Sequence, residues 1–219
     1  MKDIAILIPA RGGSKRIINK NIVLIDNKPL ITYSLQEALK LTSEVYVSTD
    51  CKAISQICKN YGAKVIERPK ELATDNSDVE DSLKHFLTNV KKEIIVLMQA
   101  TSPLVKSSYI REGLELLDKY DSVISVCEVK EFFWSKDGKP INYIIGNKPR
   151  TQDMEPIFKE NGAFYITSRK NFLNTNKLTN GKIGFVKMSY RESIDIDTNE
   201  DLEMLKIILE RNKGLVNEN

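Results

Sequence analysis

Short apolar runs alternate with stretches of helical periodicity along most of this chain, and that rhythm limits the possible folds more than any other feature. Ile4-Ala5-Ile6-Leu7-Ile8 is a continuous apolar run of strand length. Similar runs recur at 45–47, 63–67, 94–98, 123–126, 162–166 and 183–188. Between them, 29–41, 50–61, 77–90 and 107–119 carry helical spacing, with Ser48-Thr49-Asp50 as cap chemistry for the second of these and Gly62 as its stop. Strands separated by helices of about 10–15 residues predict βαβ units and a parallel sheet covered on both faces. The expected architecture is α/β: one Rossmann-like domain over residues 1–219 with a mostly parallel sheet. A last helix is predicted over 199–212, with a frayed end at 214–219.

The rhythm breaks at about 130–160. This stretch is rich in Lys, Asp, Asn, Gly and Pro and carries Phe132, Phe133, Trp134 and Tyr143. Thirty structureless residues would be unusually long for a compact domain. The expectation is an inserted arm used for dimerisation; a local mini-core is the other reading of its aromatics.

Composition narrows the chemistry. The 33 basic and 30 acidic residues leave an excess of only three positive charges, which gives no argument for nucleic-acid or membrane partners. No apolar run approaches the roughly 20 residues of a membrane span. The N-terminus enters the first strand without a leader pattern, so the expected location is cytoplasmic. Cys51, Cys58 and Cys127 lack disulfide spacing and read as free thiols. His85 is the single histidine, which nearly excludes Ser-His-Asp chemistry and His-rich metal sites. Lys, Arg, carboxylates and a metal ion are left to do the work.

Two segments suit that chemistry. Directly after the first strand comes Pro9-Ala10-Arg11-Gly12-Gly13-Ser14-Lys15-Arg16, followed by Asn19-Lys20-Asn21. The carboxyl end of a strand is where ligands bind in such sheets. Two glycines let backbone N–H groups approach a phosphate, and Arg11, Lys15, Arg16 and Lys20 bring four cations into one short stretch. That density suits a triphosphate; a basic surface turn is the alternative. The segment is neither a Walker loop nor a dinucleotide fingerprint. Near the other end stands Ser193-Ile194-Asp195-Ile196-Asp197-Thr198. Read as a strand, it puts both isoleucines toward the core and Asp195 and Asp197 on one face, about 7 Å apart. Paired carboxylates suit magnesium, which completes its shell with water and phosphate oxygens. The alternative is helix capping, since Thr198 and Asp201 loosely form a capping box.

Taken together, these stretches resemble the acylneuraminate cytidylyltransferase family, which includes CMP-sialic acid synthetases. The resemblance also rests on Val-Ser-Thr-Asp (47–50), Arg-Pro-Lys-Glu-Leu-Ala-Thr-Asp (68–75), Gln-Ala-Thr-Ser-Pro-Leu (99–104), Pro-Arg-Thr-Gln-Asp (149–153) and Asn-Gly-Ala-Phe-Tyr-Ile (161–166), in family order along nearly the whole chain. Ala100 and Val105 stand where members often have proline and arginine, and Ile17-Ile18-Asn19 lacks the usual proline before Lys20-Asn21. The resemblance implies magnesium-dependent transfer of CMP from CTP to the anomeric hydroxyl of a nonulosonic acid, by a homodimer with a small inserted subdomain. It implies that Arg11, Gly12, Gly13 and Ser14 hold the CTP phosphates with Lys20 and Asn21, and that Arg68 and the loop to Ser77 surround the cytidine. Gln99, Thr101 and Ser102 would face the sugar acid, Arg150 would reach its carboxylate, and Asn161 and Tyr165 would line its pocket. Asp195 and Asp197 match the metal carboxylates; Arg11, Lys20 and the two aspartates are the catalytic set. A CMP-Kdo synthetase-like enzyme is the nearest rival, but that group typically carries an acidic Gly-Asp-Glu-Pro stretch where this chain has Gln99-Ala100-Thr101-Ser102-Pro103. A non-catalytic nucleotide-binding module on the same fold is the rival from another class.

Overall fold

Ala5, Ile6, Leu7 and Ile8 are all fully buried, so the first apolar run lies at the centre of the molecule. The computed structural model describes residues 3–217 of the 219-residue chain. In order, the elements are β1 (Ile4–Pro9), β2 (Leu24–Ile25), β3 (Lys28–Pro29), α1 (Leu30–Leu39), β4 (Val45–Thr49), α2 (Lys52–Asn60), β5 (Lys64–Glu67), α3 (Val79–Asn89) and β6 (Ile94–Met98). They continue with α4 (Ser107–Leu116), β7 (Ser122–Val129), β8 (Ile157–Ser168), α5 (Arg169–Thr175), β9 (Ile183–Met188) and α6 (Asn199–Asn217). Seven strands form one sheet in the order β5-β4-β1-β6-β8-β7-β9.

Alternate side chains of the central strands serve opposite faces. On one face Ile6, Ile8, Val47 and Met98 meet Ile31 and Leu35 of α1, Ile54 and Cys58 of α2 and Ile110 of α4. On the other, Ala5, Leu7, Ile95 and Leu97 meet Leu83 and Phe86 of α3 and Phe172 of α5. Helices therefore cover both faces, as the rhythm predicts. The sheet is parallel except for β8, which runs antiparallel to both β6 and β7. The connection from β6 through α4 to β7 skips one position, and the chain returning from the arm fills it.

Four expectations are corrected. The segment 193–198 is not a strand. Its backbone groups are taken elsewhere: Ile196 N–H donates to Thr101 O (2.9 Å), Ile196 O accepts from Lys20 Nζ (2.7 Å), and Asp197 N–H donates to Asp201 Oδ2 (2.9 Å). No ladder can form from groups so committed. The cap chemistry at 48–50 is also redirected. The N-cap of α2 is Cys51, without a side-chain bond, while Thr49 Oγ1 accepts from Cys51 N–H and Asp50 reaches Gly12. The last helix continues to Asn217, beyond the predicted end at 212, so the frayed reading fails for 214–217; residues 218–219 lie outside the described residues. The arm is shorter than predicted, because β8 begins at Ile157 and pairs with β7 out to Val129.

Between these strands the arm folds on itself. Tyr143 packs edge-on against Phe132 and Trp134, with ring centroids 5.1 and 5.5 Å away, and Lys148 Nζ lies 3.9 Å from the Phe132 ring centre. These aromatics make a local cluster, yet Trp134, Ile141, Ile144 and Ile145 remain exposed.

Phe164 of β8 is fully buried against the α4 side of the sheet. Phe164→Ala is expected to cost about 3–5 kcal/mol, the range for a buried Phe truncated in a core. Chemical denaturation reads this as a lower midpoint at unchanged slope. A loss under about 1 kcal/mol would mean that β8 is not integral to the core.

Candidate functional site

At the carboxyl ends of β1, β5 and β6 the chain leaves a cavity of about 490 Å³. It lies where ligands bind in open α/β sheets. Nine of the sequence-predicted residues line it: Arg11, Ser14, Lys20, Asn21, Arg68, Ser77, Gln99, Thr101 and Asp197. Their construction differs from place to place.

The loop after β1 is held from several sides. Ala10 N–H donates to Ser48 O (2.9 Å), and Asn21 Nδ2 donates to Arg11 O (3.0 Å). Asn21 is buried and acts as a strut for the loop as well as part of the cavity wall. Gly12 N–H donates to Asp50 Oδ1 at 2.9 Å, so in this state a carboxylate occupies the amide expected for phosphate. A Cβ at position 12 would stand 2.9 Å from Cys51 Cβ, closer than side-chain carbons approach, whereas one at Gly13 would meet nothing within 4 Å. Close approach of α2 thus explains the first glycine.

Asn19 adopts a left-handed conformation (φ 55°), which turns the chain into the short helical turn Lys20–Ile22. Asparagine tolerates that conformation better than most residues, so the missing upstream proline is not needed to place Lys20. Lys20 Nζ, only 15% exposed, donates to Ile196 O (2.7 Å) and Asp197 Oδ1 (2.9 Å). Arg16 NH1 reaches Asp197 Oδ2 at 3.1 Å. Arg11 NH1 pairs with Asp75 Oδ1 at 2.8 Å, and Lys15 pairs with the other oxygen of the same carboxylate. The two cations hold the Asp75 carboxyl below its ordinary range. All four loop cations are therefore neutralised by two aspartates. A triphosphate entering here must exchange with carboxylates already in place.

Arg68 is 6% exposed, and burial lowers its guanidinium to about 10. Its Nε and NH2 donate to Ser48 Oγ (3.1 Å) and Ser48 O (2.6 Å), tying the end of β5 to that of β4. The loop from 99 to 105 is fixed by Ser34, whose hydroxyl bonds Gln99 O (3.1 Å) and Ser102 O (3.2 Å). Ala100 and Val105, the two departures from the family pattern, are buried apolar residues that pack this loop onto the core. Ser102 is buried behind the loop and contributes its carbonyl to that anchor.

The remaining predicted residues lie elsewhere. Asp195 and Asn161 line a second cavity, of about 420 Å³, on the far side of the 195–197 segment. Asp195 and Asp197 do not share a strand face: the buried Ile196 between them turns inward, leaving one carboxylate to each cavity. Surrounding protein pushes the Asp195 carboxyl above its ordinary range; a hydrogen bond with Thr101 works against this and the charge of Asp197 reinforces it. Asn161 is committed internally, donating to Ser193 Oγ (2.8 Å) and accepting from Ala163 N–H (3.2 Å). Tyr165 donates to Glu160 Oε1 at 2.6 Å, and burial raises its phenol. Arg150 stands exposed on the arm, paired with Asp153 (2.7 Å). His85 keeps to α3, where its Nδ1 is buried without a hydrogen-bond partner.

Among the described residues no three His, Cys, Asp or Glu side chains converge. Two carboxylates flanking one buried residue, beside a cavity sized for phosphates, still fit magnesium, which binds through one or two carboxylates plus phosphate oxygens. Among the described residues no helix is long and apolar enough to cross a membrane. Sequence reasoning missed Asp50 and Asp75 as partners of the loop. Asp75 lies inside the quoted 68–75 motif, but only the fold reveals what it faces.

Comparison with known proteins places this architecture. Residues 5–218 match the family described as cytidylyltransferase. The N-acylneuraminate cytidylyltransferase of Streptococcus agalactiae is 33% identical over 214 residues, covering 92% of this chain and 52% of that protein. That of Oncorhynchus mykiss is 36% identical over 212 residues, covering 91% and 49%. The chain thus spans about half the length of these relatives. The CMP-N,N'-diacetyllegionaminic acid synthase of Legionella pneumophila is 34% identical over 225 residues, covering 94% of this chain and 96% of that protein. In fold, the chain is similar to a CMP:2-keto-3-deoxy-manno-octonic acid synthetase solved with CTP, at a TM-score of 0.75, 20% identity and coverage of 96% and 100%. With the family match running nearly from end to end, and one relative matched over almost its full length, the chain belongs to the cytidylyltransferase family.

Proposed function

We propose that the chain transfers CMP from CTP to the anomeric hydroxyl of a sialic-acid-like nonulosonic acid and releases pyrophosphate. The observation that carries this reading is the junction of Lys20 with Ile196 and Asp197. It brings the cationic loop and Asp197 to one cavity at the carboxyl rim of the sheet. The 99–103 stretch supports the nonulosonic over the CMP-Kdo branch. The same reading makes the enzyme cytoplasmic and a homodimer, and the exposed Trp134, Ile141, Ile144 and Ile145 of the arm support the dimer.

The chemistry needs positioning and charge stabilisation more than covalent help. Arg11, Lys15 and Ser14 bind the β- and γ-phosphates, and Lys20 neutralises charge as pyrophosphate departs. Gln99 and Thr101 orient the acceptor, Arg68 shapes the nucleoside end of the cavity, and Arg150 reaches the acceptor of a neighbouring subunit. Asp197 at the first cavity, with Asp195 two residues away, would hold a magnesium ion. When bound, it supplies charge neutralisation at the α-phosphate and a lowered pKa for the attacking hydroxyl. The loop cations are released from Asp75 and Asp197 as phosphates replace carboxylates. For Arg11, Lys15 and Arg16 such exchange costs little, because these pairs are partly exposed, and the mostly buried Lys20 keeps Ile196 O as a partner.

Asp195→Asn and Asp197→Asn are each expected to lower turnover by about 100-fold or more, the scale of a lost preorganised charge. Thermal unfolding of Asp195→Asn should remain close to that of the parent chain, whereas Asp197→Asn removes the charge partner of Lys20 and is expected to unfold at a lower temperature. Near-normal magnesium-dependent pyrophosphate release in both variants would reject their assignment.

Gly12→Ala tests the loop. Its Cβ meets a carbon that cannot swing aside, so the loop must shift. The KM for CTP is expected to rise about tenfold, which is about 1.4 kcal/mol of binding. Adding Cys51→Gly should recover part of it. An unchanged KM in Gly12→Ala would remove the loop from nucleotide binding.

Base choice tests the nucleotide itself. CTP is expected to exceed UTP in kcat/KM by about two orders of magnitude or more, because exchanging the amino donor for a carbonyl leaves buried partners unpaired. Equal rates would remove cytidylyl transfer from the account.

A further inference from the structure

Arg68 differs in kind from the other cations of the first cavity. Arg11, Lys15, Arg16 and Lys20 each have a carboxylate partner. Arg68 is buried and, among the described residues, forms no ion pair. Burial lowers its guanidinium, and the charge of Asp50 opposes this. A buried cation without an ion pair has to be satisfied by hydrogen bonds. One residue supplies them: Ser48 Oγ accepts from Arg68 Nε (3.1 Å), and Ser48 O accepts from Arg68 NH2 (2.6 Å).

Ser48 is itself fully buried in β4, in register with Pro9 of β1 on one side and Ile66 of β5 on the other. Its carbonyl accepts a second bond, from Ala10 N–H (2.9 Å), where the loop after β1 begins. The backbone of Arg68 is fixed to the same strand end, because its N–H donates to Thr49 O (2.9 Å). The guanidinium is a planar fork, so two bonds along its Nε–NH2 edge fix its plane. NH1 makes no hydrogen bond among the described residues, and Arg68 lines the cavity. Donors held in one direction distinguish a ligand edge made of acceptors from one that also carries a donor. Cytosine has a ring-nitrogen acceptor beside its carbonyl, where uracil has an N–H.

We infer that Ser48 is a positioning residue for nucleotide selection: its hydroxyl and carbonyl set the plane of the Arg68 guanidinium, and the same carbonyl registers that group against the phosphate loop. Ser48 touches no substrate and acts through Arg68. The inference rests on the proposed use of CTP and adds to it a residue that stands behind the cavity lining.

The test uses the full chain with magnesium and measures the Kd of CTP and of UTP by titration calorimetry. Ser48→Ala removes the hydroxyl and keeps the carbonyl, so the ties to Ala10 and to Arg68 NH2 remain. It is expected to weaken CTP about tenfold, the loss of one hydrogen bond to a charged group. UTP should change less than twofold, so the preference for CTP narrows by the same factor. Ser48→Cys fills the same space with a poorer acceptor and should give an intermediate loss. An Arg68→Lys chain has no fork to orient, and in that background Ser48→Ala should change the preference less than twofold. If the parent chain prefers CTP while Ser48→Ala and Ser48→Cys keep that preference within twofold and only unfold at a lower temperature, Ser48 is a structural tie and this inference alone falls. A full tenfold loss of preference on adding Ser48→Ala to Arg68→Lys also overturns it. If the parent chain binds CTP and UTP equally, the cytidylyl reading and this inference fall together.

Discussion

One ammonium group joins the two ends of this chain. Lys20 Nζ bonds to the backbone at Ile196 and to the carboxylate of Asp197, across 176 and 177 residues of sequence. A mostly buried lysine needs such partners, because an unpaired charge in that setting would be costly. The contact also takes the carbonyl that a strand at 193–198 would have used, so it decides the local backbone as well as the charge. Around it, Ile17, Ile25 and Leu30 pack against Ile196, Leu202 and Leu205. This apolar cluster holds α6 and the first loop together and lets the polar junction persist.

The cap of α6 shares the same segment. Asp201 Oδ2 accepts from Asp197 N–H, Thr198 N–H and Thr198 Oγ1, while Thr198 Oγ1 accepts from Asp201 N–H. This reciprocal bonding is a capping box with aspartate in place of glutamate. Capping and presentation of Asp197 are therefore one construction. The choice between a helix cap and a functional carboxylate, open at the level of sequence, resolves by division of labour: Thr198 and Asp201 cap, which leaves the carboxylate of Asp197 free to face the loop cations.

The free protein stores its anion-binding capacity in paired form. Asp75 and Asp197 keep four cations close together that would otherwise repel one another. On the proposed reading these carboxylates hold the loop near its working shape, and binding is an exchange of anions rather than an assembly. Preorganisation of this kind lowers the cost of ordering at the moment of binding. Asp50 adds to it by holding the Gly12 amide.

The alternation of apolar runs with helical stretches was enough to determine the α/β class, the strand positions and the covering of both faces, because burial of continuous runs follows from local composition. The glycine-bearing cationic loop could likewise be found in sequence, since its chemistry lies in neighbouring residues. Other features depended on contacts between distant residues. The antiparallel insertion of β8 follows from an open position between β6 and β7, and no local pattern encodes it. Asp195 and Asp197 were visible as a pair, but period-2 reasoning placed them on one face, and Lys20, Thr101 and the α6 cap overrode that periodicity. Asp75 and Asp50 as loop partners are long-range juxtapositions. Sequence by itself determined which groups are present and what chemistry they favour; only the tertiary structure decided which of them meet, because side chains tens to hundreds of residues apart come together through packing and not through spacing.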